Sequence, residues 1–334
     1  MTSEWHEAPL RELVGYISKG IAPSYAEEAS ETTIRVLNQK CNRNFRISYG
    51  DSRLHDTLKK KVPPERYVKP DDILINSTGA GTAGRIAQIE DVPSATTIDG
   101  HMILIRSNGK VTQKFLGYAL KAHQWEVLQL DEGSTGQTEL NRDRLLDEIM
   151  INYPVSFDEQ NAIVGTLESI DRKLIVNEQL NDNLLEQASS IYQAWFEDFI
   201  LSDGSCPPSW KQGTLAGIAD ITSGKRPPVK SAEKTDNAII PIVGAASVMG
   251  YTTEANHTDK ILVTGRVGTH GVVQRFNSPC WASDNTLVIT SAFYEYTFQI
   301  LQRIDYRTLN RGSTQPLITQ GDMNNCLLYT SPST

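Results

Sequence analysis

Short apolar runs bounded by glycine and polar residues set the texture of this chain. Ile73-Leu74-Ile75, Met102-Ile103-Leu104-Ile105, Ile261-Leu262-Val263 and Leu287-Val288-Ile289 are the clearest. Runs this short with turn residues on both sides predict strands. Two stretches carry helical spacing instead. Phe115, Tyr118, Ala119, Ala122, Trp125 and Leu128 predict a helix over 113–130. Ile163, Leu167, Ile170, Leu174, Asn177, Asn181, Leu184, Ala188, Ile191 and Trp195 recur in steps of four and three, a heptad seam with two polar layers in its middle. That helix opens on Ser156-Phe157-Asp158-Glu159, a capping box, and stops at the Gly- and Pro-bearing stretch 202–208. About 40 residues at 1.5 Å each make a rod of roughly 60 Å. A lone rod cannot bury a one-sided seam, so the seam predicts a partner helix.

On either side of the helix the pattern repeats. Trp5, Leu10 and the run ending at Lys19-Gly20 match Trp210, Leu215 and the run ending at Ser223-Gly224. Asp72-Ile73-Leu74-Ile75 leads into Gly81-Thr82-Ala83-Gly84, and Lys260-Ile261-Leu262-Val263 into Gly268-Thr269-His270-Gly271. Asp99 precedes Met102 as Asp284 precedes Leu287, and Gly133-Ser134-Thr135 stands before Asp143 as Gly312-Ser313-Thr314 stands before Asp322. Four matches in one order mean a duplicated domain, since solenoid repeats are far shorter. The expected fold is α/β (α+β): two repeated strand-rich domains joined by a long coiled-coil helix.

With 334 residues, each copy is long enough to bury a core. A hydrophobic fraction of 39% and a charged fraction of 22% describe a globular chain. The amino-terminal residues lack the basic start and apolar stretch of a signal peptide, and no run is long enough to span a membrane. Cys41, Cys206, Cys280 and Cys326 are scattered, which points to reduced thiols and a cytoplasmic protein, with no metal site. The net charge of −8 is unevenly spread. Residues 34–69 carry ten Lys and Arg against three acids, residues 224–275 seven against four, and residues 158–198 nine acids against two basic residues. The acidity belongs partly to the helix, and both repeats carry a basic stretch.

Several motifs that suggest catalysis fail on context. Gly79-Ala80-Gly81-Thr82-Ala83-Gly84 is a literal G-x-G-x-x-G, yet Arg85-Ile86-Ala87-Gln88-Ile89 after it alternates like a strand. A dinucleotide site needs its third glycine to open a helix. This loop, like 265–271, reads better as a glycine-rich turn between antiparallel strands. Gly224-Lys225 lacks the rest of a phosphate-binding loop. Pro207-Pro208-Ser209-Trp210 is similar to the Asp/Asn-Pro-Pro-aromatic motif of adenine methyltransferases, but Cys206 and Ser209 stand where the acid or amide and the aromatic belong. No catalytic residues and no cofactor are implied.

The repeated basic module and its helical spacer resemble the DNA specificity subunit of type I restriction-modification systems. The wording extends the likeness: 71–79 (DDILINSTG), 239–244 (IIPIVG), 261–268 (ILVTGRVG), 281–287 (WASDNTL) and 312–316 (GSTQP). The resemblance covers roughly residues 5 to 325. It implies two target-recognition domains that each read half of a split site in double-stranded DNA. It also implies helical regions that dock methyltransferase subunits, and a separate restriction subunit. The domains expected are 1–155, the spacer 156–202, 203–325, and a divergent tail 326–334.

Positioning on phosphates calls for Lys and Arg, and base reading for Arg, Lys, Asn or Gln at a groove edge. The first candidate cluster is Lys40, Arg43, Arg46, Arg53, Lys59, Lys60 and Lys61, interleaved with Asn38, Gln39, Asn42 and Asn44, with Arg85 in the glycine loop. The second is Lys225, Arg226, Lys230, Arg266 and Arg275. Ile163, Leu167, Ile170, Leu174, Leu184, Ile191 and Trp195 are the candidate partner-binding seam. Where the family pattern asks for a second long helix after Asp322, the chain runs out through 326–334, which reads as a truncation or frameshift. The unmated seam then predicts self-association. Two other readings stay open: a repeat scaffold that binds proteins, and a stand-alone DNA methyltransferase or nuclease.

Overall fold

The computed structural model of the chain describes residues 4–79, 81–132, 139–311 and 317–330. It divides into two compact units, 1–177 and 178–334, each with its own core and its own part of the long helix.

In the first unit, Ile73–Asn76 and Met102–Ser107 are the inner strands of a four-stranded antiparallel sheet, flanked by Val14–Lys19 and Ile86–Gln88. The inner strands are apolar on both faces because both faces are covered. Ile73, Ile75, Ile103 and Ile105 enter one core with Leu116 and Leu120 of the helix Gln113–Ala122. Leu74, Met102 and Leu104, the alternate positions, enter a second core with Leu37 and Ile98. Those two come from a second four-stranded sheet, ordered Thr96–Ile98, Thr33–Leu37, Arg53–Asp56, Tyr25–Ala26, whose first pair is parallel. Each Leu or Ile buried this way contributes roughly 1.5–3 kcal/mol before entropy is counted. A two-stranded ribbon, Trp5–Pro9 with Met150–Pro154, joins the two ends of the unit.

The second unit repeats this frame. Its antiparallel sheet runs Asp220–Ser223, Thr286–Thr290, Ile261–Gly265, Gln274–Phe276. Its second sheet runs Val248–Thr252, Ile240–Val243, Trp281–Ala282, again with one parallel pair. The same close approach recurs where the first strand of each unit leaves its sheet. A Cβ on Gly20 would lie 2.1 Å from the Asp99 carbonyl oxygen, and one on Gly224 would lie 2.0 Å from that of Ser283. Only glycine fits there.

The ladders correct the alignment read from sequence by one residue. Lys19 pairs with Ile103 and Ser223 with Leu287, while Ile103 pairs with Ile75 and Leu287 with Thr264. Leu287 therefore takes the place of Ile103, not of Met102, and Ser283 the place of Asp99. Matching the acids Asp99 and Asp284 misplaced the strands. A one-residue slip reverses which side chains face each core, so packing decides it.

The segment expected as a divergent tail contains a framework strand. Leu327–Thr330 pairs with Lys211–Thr214 just as Met150–Pro154 pairs with Trp5–Pro9, and Leu328 is buried in the second unit's core with Leu215 and Leu301. Its residue types differ from the first copy while its backbone pairs in the same way; residues 331–334 of the expected tail lie outside the described residues. Of the fourth repeat match, the Gly-Ser-Thr triplets lie outside the described residues. Asp143 and Asp322 lie in the short helices Arg142–Glu148 and Gln320–Asn324.

The long helix spans Phe157–Tyr192 and continues as a π turn over Gln193–Glu197. Its 36 α-helical residues reach about 54 Å. Ser156 caps it by accepting from the Glu159 N–H at 3.5 Å. The first unit grips its start: Val164 and Gln160 are buried, and Gln160 Oε1 accepts from Thr112 N at 2.8 Å. Lys114 pairs with Glu168 at 2.6 Å and the Tyr118 hydroxyl donates to Asp171 at 2.8 Å. Within the second unit, the rings of Tyr192 and Phe196 pack at a tilt on Tyr296 and Arg303 pairs with Glu197 at 2.9 Å. The helix expected over 113–130 is two, Gln113–Ala122 and Gln124–Leu128. The break at His123 turns the second piece, so Trp125 is 64% exposed and Val127 is buried instead.

Candidate nucleic-acid interface

The two units differ most in one connection. In the second, Ile240–Val243 and Val248–Thr252 are joined by the four residues 244–247. In the first, the equivalent Thr33–Leu37 and Arg53–Asp56 are joined by 38–52, which builds a structure of its own. Asn38 starts it: its side chain accepts from Lys40 N at 2.9 Å and donates to the Asp51 carbonyl at 2.8 Å, closing the loop at its base. Cys41 is buried as its anchor. A miniature hairpin follows, with Asn42 opposite Ile47 and Arg43 opposite Arg46. Asn42 is buried and donates to the Arg85 carbonyl at 2.8 Å, which ties the hairpin to the glycine loop.

The glycine loop has the structural role its alternating sequel suggests. It joins the antiparallel strands Ile73–Asn76 and Ile86–Gln88, and no helix begins at Gly84. Gly84 has φ +83°, and a Cβ on it would lie 2.9 Å from the Val127 carbonyl. Gln124 clamps the loop by donating to the Gly84 carbonyl at 2.7 Å and accepting from Ile86 N at 2.8 Å.

Between hairpin and glycine loop lies an open groove of about 550 Å³, lined by Lys40, Arg43, Phe45, Thr82, Arg85 and Gln124 among others. Three sequence candidates, Lys40, Arg43 and Arg85, thus meet on one surface. Lys40 and Arg43 are exposed, and Arg85 is half-buried with its guanidinium on the Gly81 carbonyl at 3.1 Å. The remaining candidates of the first cluster lie elsewhere. Arg46 lines a separate depression beside Glu90 and Asp91. Arg53 lies over Tyr25, its Cζ 3.3 Å from the ring centre. Lys59 is near Asp56 at 3.9 Å, and Lys60 donates to the Ala22 carbonyl at 2.8 Å.

In the second unit, Lys225, Arg226 and Lys230 are exposed along one segment after Gly224. The Lys225 backbone is fixed, bonding Ala282 through its N–H and the Trp281 indole through its carbonyl. Arg266 is half-buried, its backbone joined to Asn285 and Ile318. Arg275 is held by Glu295 at 2.5 Å and stacks over Phe298 at 4.7 Å, so its charge is already met within the protein. Sequence reading passed over Gln124 and Phe45. Gln124 carries no local signal, because only the tertiary fold brings the 124–128 helix against the glycine loop.

Burial raises the pKa of Asp99, against the opposing hydrogen bond from His101 N at 2.9 Å. Burial also pushes the Cys280 thiol up to about 11. Neither group lines the groove. Among the described residues no cluster of three or more His, Cys, Asp or Glu is placed to hold a metal ion, and no helix is long and apolar enough to cross a membrane.

Each of the two units carries the same frame with cationic side chains exposed on its loops. The family model described as the type I restriction modification DNA specificity domain matches residues 2–186 and again 207–330. The chain belongs to that family, and its role is that of a specificity subunit. No curated protein matches the sequence. Among solved structures, the type I restriction-modification S subunit from M. genitalium is similar at 16% identity and a TM-score of 0.53, over 99% of this chain and 85% of that one. The HsdS subunit from Thermoanaerobacter tengcongensis is matched at 14% identity and a TM-score of 0.40, over 98% and 85%. At such identity the first likeness speaks for the fold.

Proposed function

We propose that each unit reads one half of a bipartite site in duplex DNA, and that the long helix docks methyltransferase subunits of a complex completed by a restriction subunit. The chain supplies recognition and leaves chemistry to its partners. The observation that carries this reading is the duplicated frame with a different loop on each copy. A shared scaffold holds the two heads alike, while the loops differ where two half-sites differ. The groove of Lys40, Arg43 and Arg85 supports phosphate and base-edge contacts in the first head. In the second head, Lys225, Arg226 and Lys230 are the candidates for phosphate contact, and Arg266 lies further along the same unit.

Helix docking rests on the exposed seam. Ile170, Leu174, Leu184 and Ile191 are each about half exposed, with Leu167 and Trp195 also open, whereas Ile163 packs partly on the first core. An apolar stripe of this length is an interaction site. The test is a gel shift of the chain with its methyltransferase on genomic fragments, followed by single-molecule sequencing of methylated adenines in the host. A split motif methylated only when this chain is present supports the reading. Binding of the methyltransferase without any DNA preference argues instead for a protein-binding scaffold.

A further inference from the structure

The tip of the Asn42–Ile47 hairpin is built against local preference. Its two loop residues, Asn44 and Phe45, both have positive φ, +52° and +62°. That is the type I′ turn, in which Asn-Gly is the ordinary choice because glycine accepts the second left-handed position freely. Asn44 fits. Phe45 does not: a bulky side chain in this region is an outlier, and such strain gathers at functional positions.

Nothing in the core repays it. Phe45 is 40% exposed at the hairpin tip rather than in any of the buried clusters. Three cations lie close by, since Arg43 precedes it in the hairpin and Lys40 and Arg85 share its groove, which Ile86 and Leu128 also line. The second unit replaces the whole ribbon by the four residues 244–247.

We infer that Phe45 is a wedge: carried on the hairpin tip, it inserts between two base pairs of the duplex while Lys40, Arg43 and Arg85 hold the flanking phosphates. This rests on the DNA-reading function proposed above. A planar apolar side chain at the end of a narrow ribbon is the shape that enters an opened base step, and surrounding cations anchor the backbone on either side. Asn44, exposed beside it, has the amide chemistry that pairs with an adenine edge. Part of the first head's specificity would then come from how easily a step unstacks, with pyrimidine–purine steps favoured.

The full chain is used to enrich duplexes from a random-sequence pool. An enriched duplex is then probed by permanganate reactivity of its thymines and by 2-aminopurine fluorescence at each adenine. The wild-type protein is expected to expose one step. Phe45→Asn, which suits the turn, should keep or raise the melting temperature, abolish the exposed step, and weaken binding about tenfold, the loss of one stacked contact. Phe45→Trp should retain the exposed step, and Lys40→Ala with Arg43→Ala should weaken binding yet retain it at saturating protein. Enrichment of a duplex that shows no exposed step overturns the wedge while leaving DNA reading intact. So does an exposed step that survives Phe45→Asn. Loss of methyltransferase association in Phe45→Asn, with DNA distortion unchanged, would make Phe45 a protein contact and overturns it too. Failure to enrich any duplex, seen before the spectroscopic step, removes the DNA-reading function itself and the wedge with it.

Discussion

The two units share a frame and differ most in one connection between its strands. Both have an antiparallel sheet of four strands in the same order, covered by a helix on one face and a second sheet on the other. Both close their ends with a two-stranded ribbon. The first then spends 15 residues, 38–52, where the second spends four. The comparison teaches that burial holds the frame constant, because the apolar inner-strand positions face one core or the other. Loops carry no such constraint and are free to diverge.

The largest effects should come from the shared frame. Leu120 and Leu301 hold matching positions in the helices Gln113–Ala122 and Tyr294–Arg303, and both are fully buried. Replacing either by Ala should cost about 2–5 kcal/mol. Each change is expected to lower the unfolding of its own unit in calorimetry; identical shifts of one shared transition would break the division into two cores.

Next come the loops. Changing Lys40, Arg43 and Arg85 together to Ala should make the salt dependence of DNA binding shallower by about 2.7 in log–log slope if all three meet phosphates. Changing Lys59, Lys60 and Lys61 should flatten it less, since Lys59 and Lys60 already have partners in the protein. Arg43→Ala alone is expected to alter preference among sequences by about 1–3 kcal/mol, read by competition between duplexes, if it contacts a base edge. Equal slopes for the two triple variants would deny the groove its special standing.

Helix caps sharpen the comparison at about 1 kcal/mol each. Asn141 caps Arg142–Glu148, accepting from Asp143 N and Arg144 N at 3.0 Å, and has no ionisable group of its own. Thr319 caps Gln320–Asn324 in a box with Asp322, whose pKa is lowered by the hydrogen bond from Thr319 and by the ion pair with Arg311. A carboxyl lowered on folding stabilises fully above its unfolded pKa of about 3.9 and loses that contribution as pH falls through its folded value. Asp322→Asn should therefore destabilise the second unit at neutral pH and little in acid. Asn141→Ala should lower stability without that acid dependence; urea titrations across pH distinguish the two.

The smallest stability change is expected on the helix. Leu174→Glu and Leu184→Glu alter half-exposed positions and should stay within about 0.5 kcal/mol. Their effect belongs to association, and light scattering with and without methyltransferase measures it. Unchanged association in both variants would mean the seam is not a docking stripe.

Much of the fold is legible in the amino-acid sequence. The strands at 73–75, 102–105, 261–263 and 287–289 are apolar at consecutive positions because both faces are covered, and that pattern survives in sequence. The glycine loop is legible as a turn because Arg85 to Ile89 alternates. The groove is only partly legible. Lys40 and Arg43 stand close together in sequence, but Arg85 reaches them only through the tertiary fold, where its carbonyl accepts from Asn42 and from Asn76 N. Arg46, just past the tip, lines a different depression, and Arg275 is taken up by Glu295.

The chain by itself determined the duplication, the strand-rich class and the helical spacer, since each rests on periodicity, which is local and repeats. Tertiary structure alone decided the one-residue register between the copies, the framework role of Leu327–Thr330, and which cations share a surface. Those depend on which side chain fills which core and which backbone finds its ladder partner. Such choices are made between segments distant along the chain, where composition and spacing carry no information.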